Sequence, residues 1–154
     1  MSEASQADSR VVGRHPVRIA WGDCDEAGIV FYPNYFYWMD SAFQTVLRAH
    51  GLNQRLLRER YGVVGTPIVD VGARFRAPAS YEDLLSIEAR IEHWGSKSFR
   101  VAYVGRREEV VVFDGFEVRV WATAGANGGL KTAAIAAEFR TLLGAPVSTG
   151  AAPG

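Results

Sequence analysis

The chain has 154 residues, 48% of them hydrophobic and 22% charged, which is the make-up of one globular domain with room for a sizeable core. Lys plus Arg equals Asp plus Glu at 17 each, so no basic surplus points to nucleic acid or to an anionic membrane surface. The single cysteine, Cys24, excludes an internal disulfide framework and a cysteine-rich metal site. The chain opens without a charged-then-apolar leader and contains no apolar run near the ~18 residues of a membrane span. The expectation is therefore a cytoplasmic protein without membrane or nucleic-acid partners.

Residues 1–13 are small and polar, and 145–154 are Ala, Gly, Pro, Ser and Thr, so both read as frayed tails around a single domain over 14–144. Residues 15–21 alternate Val17, Ile19 and Trp21 against Arg18 and Ala20, the pattern of a short strand. A glycine-bounded loop follows over 22–31, carrying Asp23 and Asp25. Pro33 suits a first helical turn because its missing N–H would have no partner there. The run 34–50 places Tyr35, Phe36, Trp38, Met39, Ala42, Phe43, Val46, Leu47 and Ala49 around most of a helix, and Gly51 ends it. A shorter polar helix is expected over 53–61.

The period then changes from helix to strand. Val69, Val71, Ala73 and Phe75 alternate with Asp70, Gly72, Arg74 and Arg76, and Leu85, Ile87, Ala89 and Ile91 alternate with Ser86, Glu88, Arg90 and Glu92. Segments 97–105 and 110–123 continue the alternation, the latter through Val118, Val120 and Ala122. Gly95-Ser96 and the run 125–129 have hairpin-turn composition. Residues 130–135 read as a last strand and 136–143 as a closing helical turn. One strand, one apolar helix and four or five meandering strands make an α+β domain, an antiparallel sheet wrapped around a helix.

Few residues carry chemistry. His15, His50 and His93 are far apart and none has a His or carboxylate at ligand spacing on a shared helix face, so no metal or other cofactor is expected. A nucleophile elbow, a phosphate-binding loop and a dinucleotide glycine pattern are absent. Attention falls on Asp23 and Asp25. Both have a plain reading as turn and capping residues. The following Ala27-Gly28-Ile29-Val30-Phe31-Tyr32 supports a second reading. Gly28 lets backbone approach a ligand and the apolar residues dry the loop, so a carboxylate here can attack an acyl carbon or activate water. The free N–H groups at the helix start would face the developing oxyanion.

Several blocks stand in order along the chain: Asp-Cys-Asp-x-Ala-Gly-Ile-Val-x-Tyr-Pro-Asn-Tyr from Asp23, Trp38-Met39-Asp40, Gly65-Thr66-Pro67-Ile68, Ala79-Ser80-Tyr81-Glu82-Asp83 and Lys97-Ser98-Phe99. Over roughly 17–140 the chain resembles the 4-hydroxybenzoyl-CoA thioesterase family of the hotdog superfamily. The resemblance implies a hotdog fold of about five strands around one long helix. It implies hydrolysis of an aromatic acyl-CoA, with 4-hydroxybenzoyl-CoA first among the substrates, without a metal or redox cofactor. Asp25 would be the nucleophile or general base, and the backbone N–H of Tyr32 the oxyanion donor, since Pro33 has none. Asp40 would meet the 4-hydroxyl of the acyl group across a subunit interface, Thr66 would line the acyl pocket, and Asp23 would brace the loop. A homo-oligomer is implied, a dimer joined sheet edge to sheet edge and paired into a tetramer. One departure concerns CoA. The family has two arginines before the hairpin lysine, where this chain has Gly95-Ser96-Lys97, leaving Lys97 as the phosphate contact with Arg100, Arg106 or Arg107 as substitutes. Hydrolysis of short-chain aliphatic acyl-CoA or acyl carrier protein, and a non-catalytic acyl-CoA-binding module, are the alternatives.

Overall fold

The computed structural model describes residues 10–144; of the tails expected over 1–13 and 145–154, residues 1–9 and 145–154 lie outside the described residues, while 11–13 open the first strand. In chain order the elements are β1 (Val11–Arg18), a 3-10 turn (Trp21–Asp23), α1 (Pro33–Ala49), α2 (Gln54–Tyr61), β2 (Val63–Gly65), β3 (Ile68–Phe75), β4 (Leu84–Trp94), β5 (Ser98–Arg107), β6 (Val110–Val120), β7 (Ala122–Ala124), β8 (Leu130–Thr132) and α3 (Ala137–Gly144). The main sheet is antiparallel in the order β1-β4-β5-β6-β3, and a small second sheet has the order β2-β7-β8. The expected α+β architecture is present: one long helix against a five-stranded antiparallel sheet.

The seating of α1 follows from its apolar stripe. Tyr35, Trp38, Met39, Ala42, Phe43, Val46 and Leu47 recur at helical spacing and are all buried. The stripe reaches nearly every strand of the main sheet. Tyr35 packs on Phe113 of β6 and Phe75 of β3, with ring centroids 4.9 and 5.4 Å apart. Phe43 packs on Phe99 of β5 at 5.8 Å. At β1 the approach is closer still: a Cβ added at Gly13 would stand 2.8 Å from Val46 Cγ2. Only a glycine lets backbone and helix meet at that distance. The α1 helix is not buried all round, however. Tyr37 is 70% exposed and Asp40 and Arg48 also face outward, because the sheet covers one side only.

Several boundaries differ from the sequence expectation. The first strand begins at Val11 and ends at Arg18, and Trp21 belongs to the 3-10 turn, where Asp23 accepts a hydrogen bond from the Ala20 N–H. The expected strand over 110–123 is two strands in different sheets. It breaks at Trp121, whose N–H donates to Lys97 O while its buried ring packs on Tyr61 and Phe139. Strand β2 was not expected, and β8 is shorter than 130–135.

Two facings also differ. On β6 the inward row is Phe113, Gly115, Glu117 and Arg119, followed by Trp121, while Val118 and Val120 are half-buried on the other side. The period was right and the face was inverted, because two charged residues satisfy each other inside the domain. On β3 the alternation exists, but neither row is covered. Val69 is 62% exposed, and Val71 and Phe75 are also exposed. As an edge strand β3 pairs only with β6 among the described residues.

Candidate active site

The loop between the 3-10 turn and α1 is held by its own backbone. Cys24 and Val30 form an antiparallel bridge, Asp25 N–H donates to Ile29 O, and Gly28 N–H returns to Asp25 O, each hydrogen bond 2.9 Å. Gly28 takes a φ of +80°, the left-handed conformation that favours glycine. The 79–83 segment clamps the loop from outside. Val30 N–H donates to Ala79 O at 2.9 Å, the Ser80 hydroxyl donates to Gly28 O, and Glu82 N–H donates to Ile19 O at 2.8 Å.

The two aspartates have separate roles in this frame. Asp23 is engaged through side chain and backbone alike: its Oδ2 accepts from Ala20 N–H at 2.8 Å, and its carbonyl accepts from Phe31 N–H at 2.9 Å and from Asn34 Nδ2 at 2.8 Å. It ties the loop to the first turn of α1. Asp25 is exposed, and only its Oδ1 is held, accepting from Ala27 N–H at 2.9 Å. That single contact orients the carboxylate and leaves Oδ2 without a protein partner.

The helix start leaves one donor open. Val30 N–H is taken by Ala79 O, Phe31 N–H by Asp23 O, Asn34 N–H by Phe31 O and Tyr35 N–H by Tyr32 O. Pro33 has no N–H. From Val30 to Tyr35 the Tyr32 N–H is the one backbone donor without an acceptor, and orphan donors at a helix N-terminus attract negative charge. Tyr32 lines a cavity of about 310 Å³ with Ile29, Val30, Tyr35, Phe75, Arg76, Ala77, Pro78 and Ala79. Burial pushes the Tyr35 phenol up to about 12, so it stays protonated at neutral pH.

The remaining sequence-selected residues lie elsewhere. Asp40 is seven residues along α1 from Pro33, about 10 Å along the axis, and does not line the Tyr32 cavity. Its Oδ1 accepts from Arg119 Nη2 at 2.6 Å. Thr66 is buried; its hydroxyl accepts from Gln54 Nε2 at 3.2 Å and its carbonyl from Arg119 Nη1 at 3.0 Å. The structure thus brings Asp40 and Thr66 together through Arg119, apart from Asp25 and Tyr32. Lys97 sits exposed in the β4–β5 turn. A hollow of about 740 Å³ on the outer face of the sheet is lined by Arg74, Arg76, Arg90, Arg100 and Arg106 among others, and Arg76 borders both cavities. Carboxylates engage its arginines: Arg76 with Asp114 at 2.6 Å, Arg100 with Glu92 at 2.9 Å, Arg106 with Glu88 at 3.3 Å. Arg107 is likewise held by Asp83 at 3.3 Å.

Sequence reading missed the group that joins Asp40 to Thr66. Arg119 Nε donates to Glu117 Oε1 at 3.1 Å, and the buried Tyr103 hydroxyl donates to the same oxygen. The Arg119 guanidinium lies 4.1 Å over the Phe43 ring. Burial raises the Glu117 carboxyl above its usual range against the opposing pull of Arg119. Burial works to lower the Arg119 guanidinium, yet Glu117, Tyr103 and Asp40 hold it above its ordinary value. The available signal was positional: Glu117 and Arg119 share strand parity with Phe113 and Trp121. Among the described residues no three His, Cys, Asp or Glu side chains gather at metal-ligand geometry, and no helix is long and apolar enough to cross a membrane.

The thioesterase superfamily model matches residues 27–113. Over 84 residues the chain is 49% identical to 4-hydroxybenzoyl-CoA thioesterase of Pseudomonas sp. strain CBS-3, covering 53% of this chain and 59% of that protein, so the match spans less than two thirds of the relative. The three-dimensional structure of that enzyme superposes with a TM-score of 0.78 at 37% identity, over 84% of this chain and 96% of the other. A gentisyl-coenzyme A thioesterase structure gives 0.72 at 34% identity, over 82% and 98%. The chain belongs to the thioesterase superfamily and has its hotdog fold.

Proposed function

We propose that this protein is an acyl-CoA thioesterase acting on an aromatic acyl group, with 4-hydroxybenzoyl-CoA or a close hydroxylated analogue as substrate. The observation that carries the reading is the open Tyr32 N–H at an apolar cavity, at the end of a loop that also exposes the Asp25 carboxylate. A thioester carbonyl docked at Tyr32 receives a hydrogen bond that strengthens as its oxygen becomes an oxyanion. Asp25 then either attacks the acyl carbon, forming an anhydride and releasing the CoA thiolate, or takes a proton from the attacking water. Both routes consume one water and yield a carboxylic acid and a thiol. Relatives named for 4-hydroxybenzoyl and gentisyl thioesters support an aromatic acyl group.

The acyl ring is proposed to point toward Asp40 and Thr66, with Asp40 accepting a hydrogen bond from the ring hydroxyl. Asp40 lies outside the Tyr32 cavity of its own chain, which supports a site completed by a partner subunit. The uncovered β3 edge, with Val69 and Val71 exposed beside Phe75 of the cavity, supports edge-to-edge pairing of two copies. Pairing of such dimers into a tetramer is part of the same proposal. Lys97 is proposed to contact CoA phosphate.

Asp25→Asn is expected to lower kcat by at least ~10³-fold with thermal stability and substrate binding retained, measured by thiol release and calorimetry; wild-type turnover in that variant would remove Asp25 from the mechanism. Across benzoyl, hydroxybenzoyl and butyryl thioesters, Asp40→Ala should cut kcat/KM for the hydroxylated aryl substrate alone, and an equal loss on all three would contradict the acyl assignment. Lys97→Ala should raise KM for the CoA thioester several-fold and leave the phosphate-free N-acetylcysteamine thioester unaffected. Sedimentation equilibrium should return a multiple of the chain mass, reduced by Val71→Lys on the β3 edge; a wild-type mass of one chain would contradict the shared site.

A further inference from the structure

We propose that Arg119 is the positioning residue that sets acyl-group preference, fixing Asp40 and Thr66 in the arrangement that receives a ring hydroxyl. The proposal rests on the reading that Asp40 meets that hydroxyl. Arg119 and Glu117 occupy the inward row of β6, and their side chains are 4% and 1% exposed. A buried ion pair is commonly no more stabilising than an apolar pair of similar volume. This one carries a further penalty, because Glu117 Oε2 is buried without a hydrogen-bond partner.

The loading of the pair is one-sided. Glu117 Oε1 receives the Tyr103 hydroxyl and Arg119 Nε, and Arg119 Nη2 stands 3.0 Å from it. All of that bonding converges on one oxygen that clamps one edge of the guanidinium. With that edge fixed, the two terminal nitrogens can point in only one way. Nη2 meets Asp40 Oδ1 at 2.6 Å and Nη1 meets the Thr66 carbonyl at 3.0 Å. The guanidinium is planar and Phe43 covers its face, so these two contacts are set together. One buried group therefore orients both residues assigned to the acyl pocket.

The chemistry follows from which member reaches solvent. The Asp40 side chain is 52% exposed, the only exposed end of the chain Tyr103–Glu117–Arg119–Asp40. Two carboxylates and one guanidinium leave a net negative charge, and the accessible part of it is at Asp40. With Oδ1 committed to Arg119, Oδ2 is held ready to accept, and an ionised carboxylate only accepts. A ring hydroxyl can donate to it, whereas a ring hydrogen or methoxy group cannot. A free Asp40 on a helix surface would sample several rotamers and discriminate less.

The test compares kcat/KM for 4-hydroxybenzoyl-CoA and benzoyl-CoA in the wild type, in Arg119→Lys, and in the charge-neutral pair Glu117→Gln/Arg119→Met. Thermal denaturation checks the fold of each. The expected result is a collapse of the hydroxybenzoyl preference, read as the ratio of the two kcat/KM values, by about 10- to 100-fold in either variant. Adding Asp40→Ala to either variant should give almost no further loss, since the residues act as a unit. If the neutral pair fails to fold, Arg119→Lys carries the comparison, because it retains the charge and loses the planar fork. A wild-type preference that survives in a folded variant, or losses that add independently with Asp40→Ala, overturns the role of Arg119 alone. A wild type that hydrolyses both thioesters without preference overturns the assignment of Asp40 and this proposal with it. No hydrolysis of either overturns the enzyme reading.

Discussion

The position of α1 on the sheet governs the rest of the molecule, since both the open amide at Tyr32 and the carboxylate at Asp40 belong to that helix or its cap. The helix is pinned at close quarters. Gly13 lets β1 come up to Val46, and a Cβ at Gly115 would stand 2.9 Å from Met39 Sδ and from the Gly72 carbonyl. Contacts this close leave little freedom to slide, because packed interiors do not deform continuously. The aromatic contacts of Tyr35 with Phe75 and Phe113 fix the first turn in the same way. A donor presented from such a scaffold needs little reorganisation when charge develops opposite it.

The loop ahead of the helix shows how two identical side chains acquire different uses two residues apart. Asp23 has its carboxylate on Ala20 and its carbonyl on Phe31 and Asn34, so it welds the loop to the helix. Asp25 is tied into the loop by its backbone, while its exposed side chain makes one contact, to Ala27 N–H. The difference arises from local geometry: the 3-10 turn points Asp23 back along the chain, and the left-handed Gly28 turns the loop so that Asp25 stays outside it. The 79–83 segment belongs to the same construction, although its residues carry no chemistry. It supplies the acceptor for Val30 N–H and the hydroxyl bonded to Gly28 O.

Elements governed by local periodicity were legible in the sequence. The α1 stripe, the polar helix over 53–61 and the alternation of β4 and β5 follow from spacing alone. What was not legible depended on distant partners. Strand β2 is three residues long and exists because it pairs with β7. The break at Trp121 depends on Tyr61 and Phe139, which lie far from it in sequence. On β6 a period of two fits two opposite faces equally well. Val118 and Val120 are the apolar row of that alternation, yet the row with Glu117 and Arg119 turns inward, because Arg119 finds Glu117, Thr66 and Asp40 as partners. For the site, Asp25, Tyr32, Asp40 and Thr66 were reached by resemblance. Their separation into two groups within one chain could be seen only in three dimensions.

That separation and the inverted face of β6 have a common physical origin. A sheet that buries only apolar residues against its helix makes a stable core with no chemical preference. Replacing two of those positions by Glu117 and Arg119 introduces a desolvation penalty, which the pairing, the Thr66 carbonyl and the Phe43 face largely offset. The remaining imbalance is the bare Glu117 Oε2 on one side and the exposed Asp40 carboxylate on the other. Stability alone gives no reason to carry a guanidinium from the interior to a surface carboxylate about two turns from an open helix N-terminus. A need for direction does, because a buried planar cation fixes the orientation of an acceptor more tightly than a solvated pair can. In the proposed site the core of this domain carries part of the recognition chemistry: the row of β6 that fills the space beneath α1 also holds the Asp40 carboxylate through Arg119.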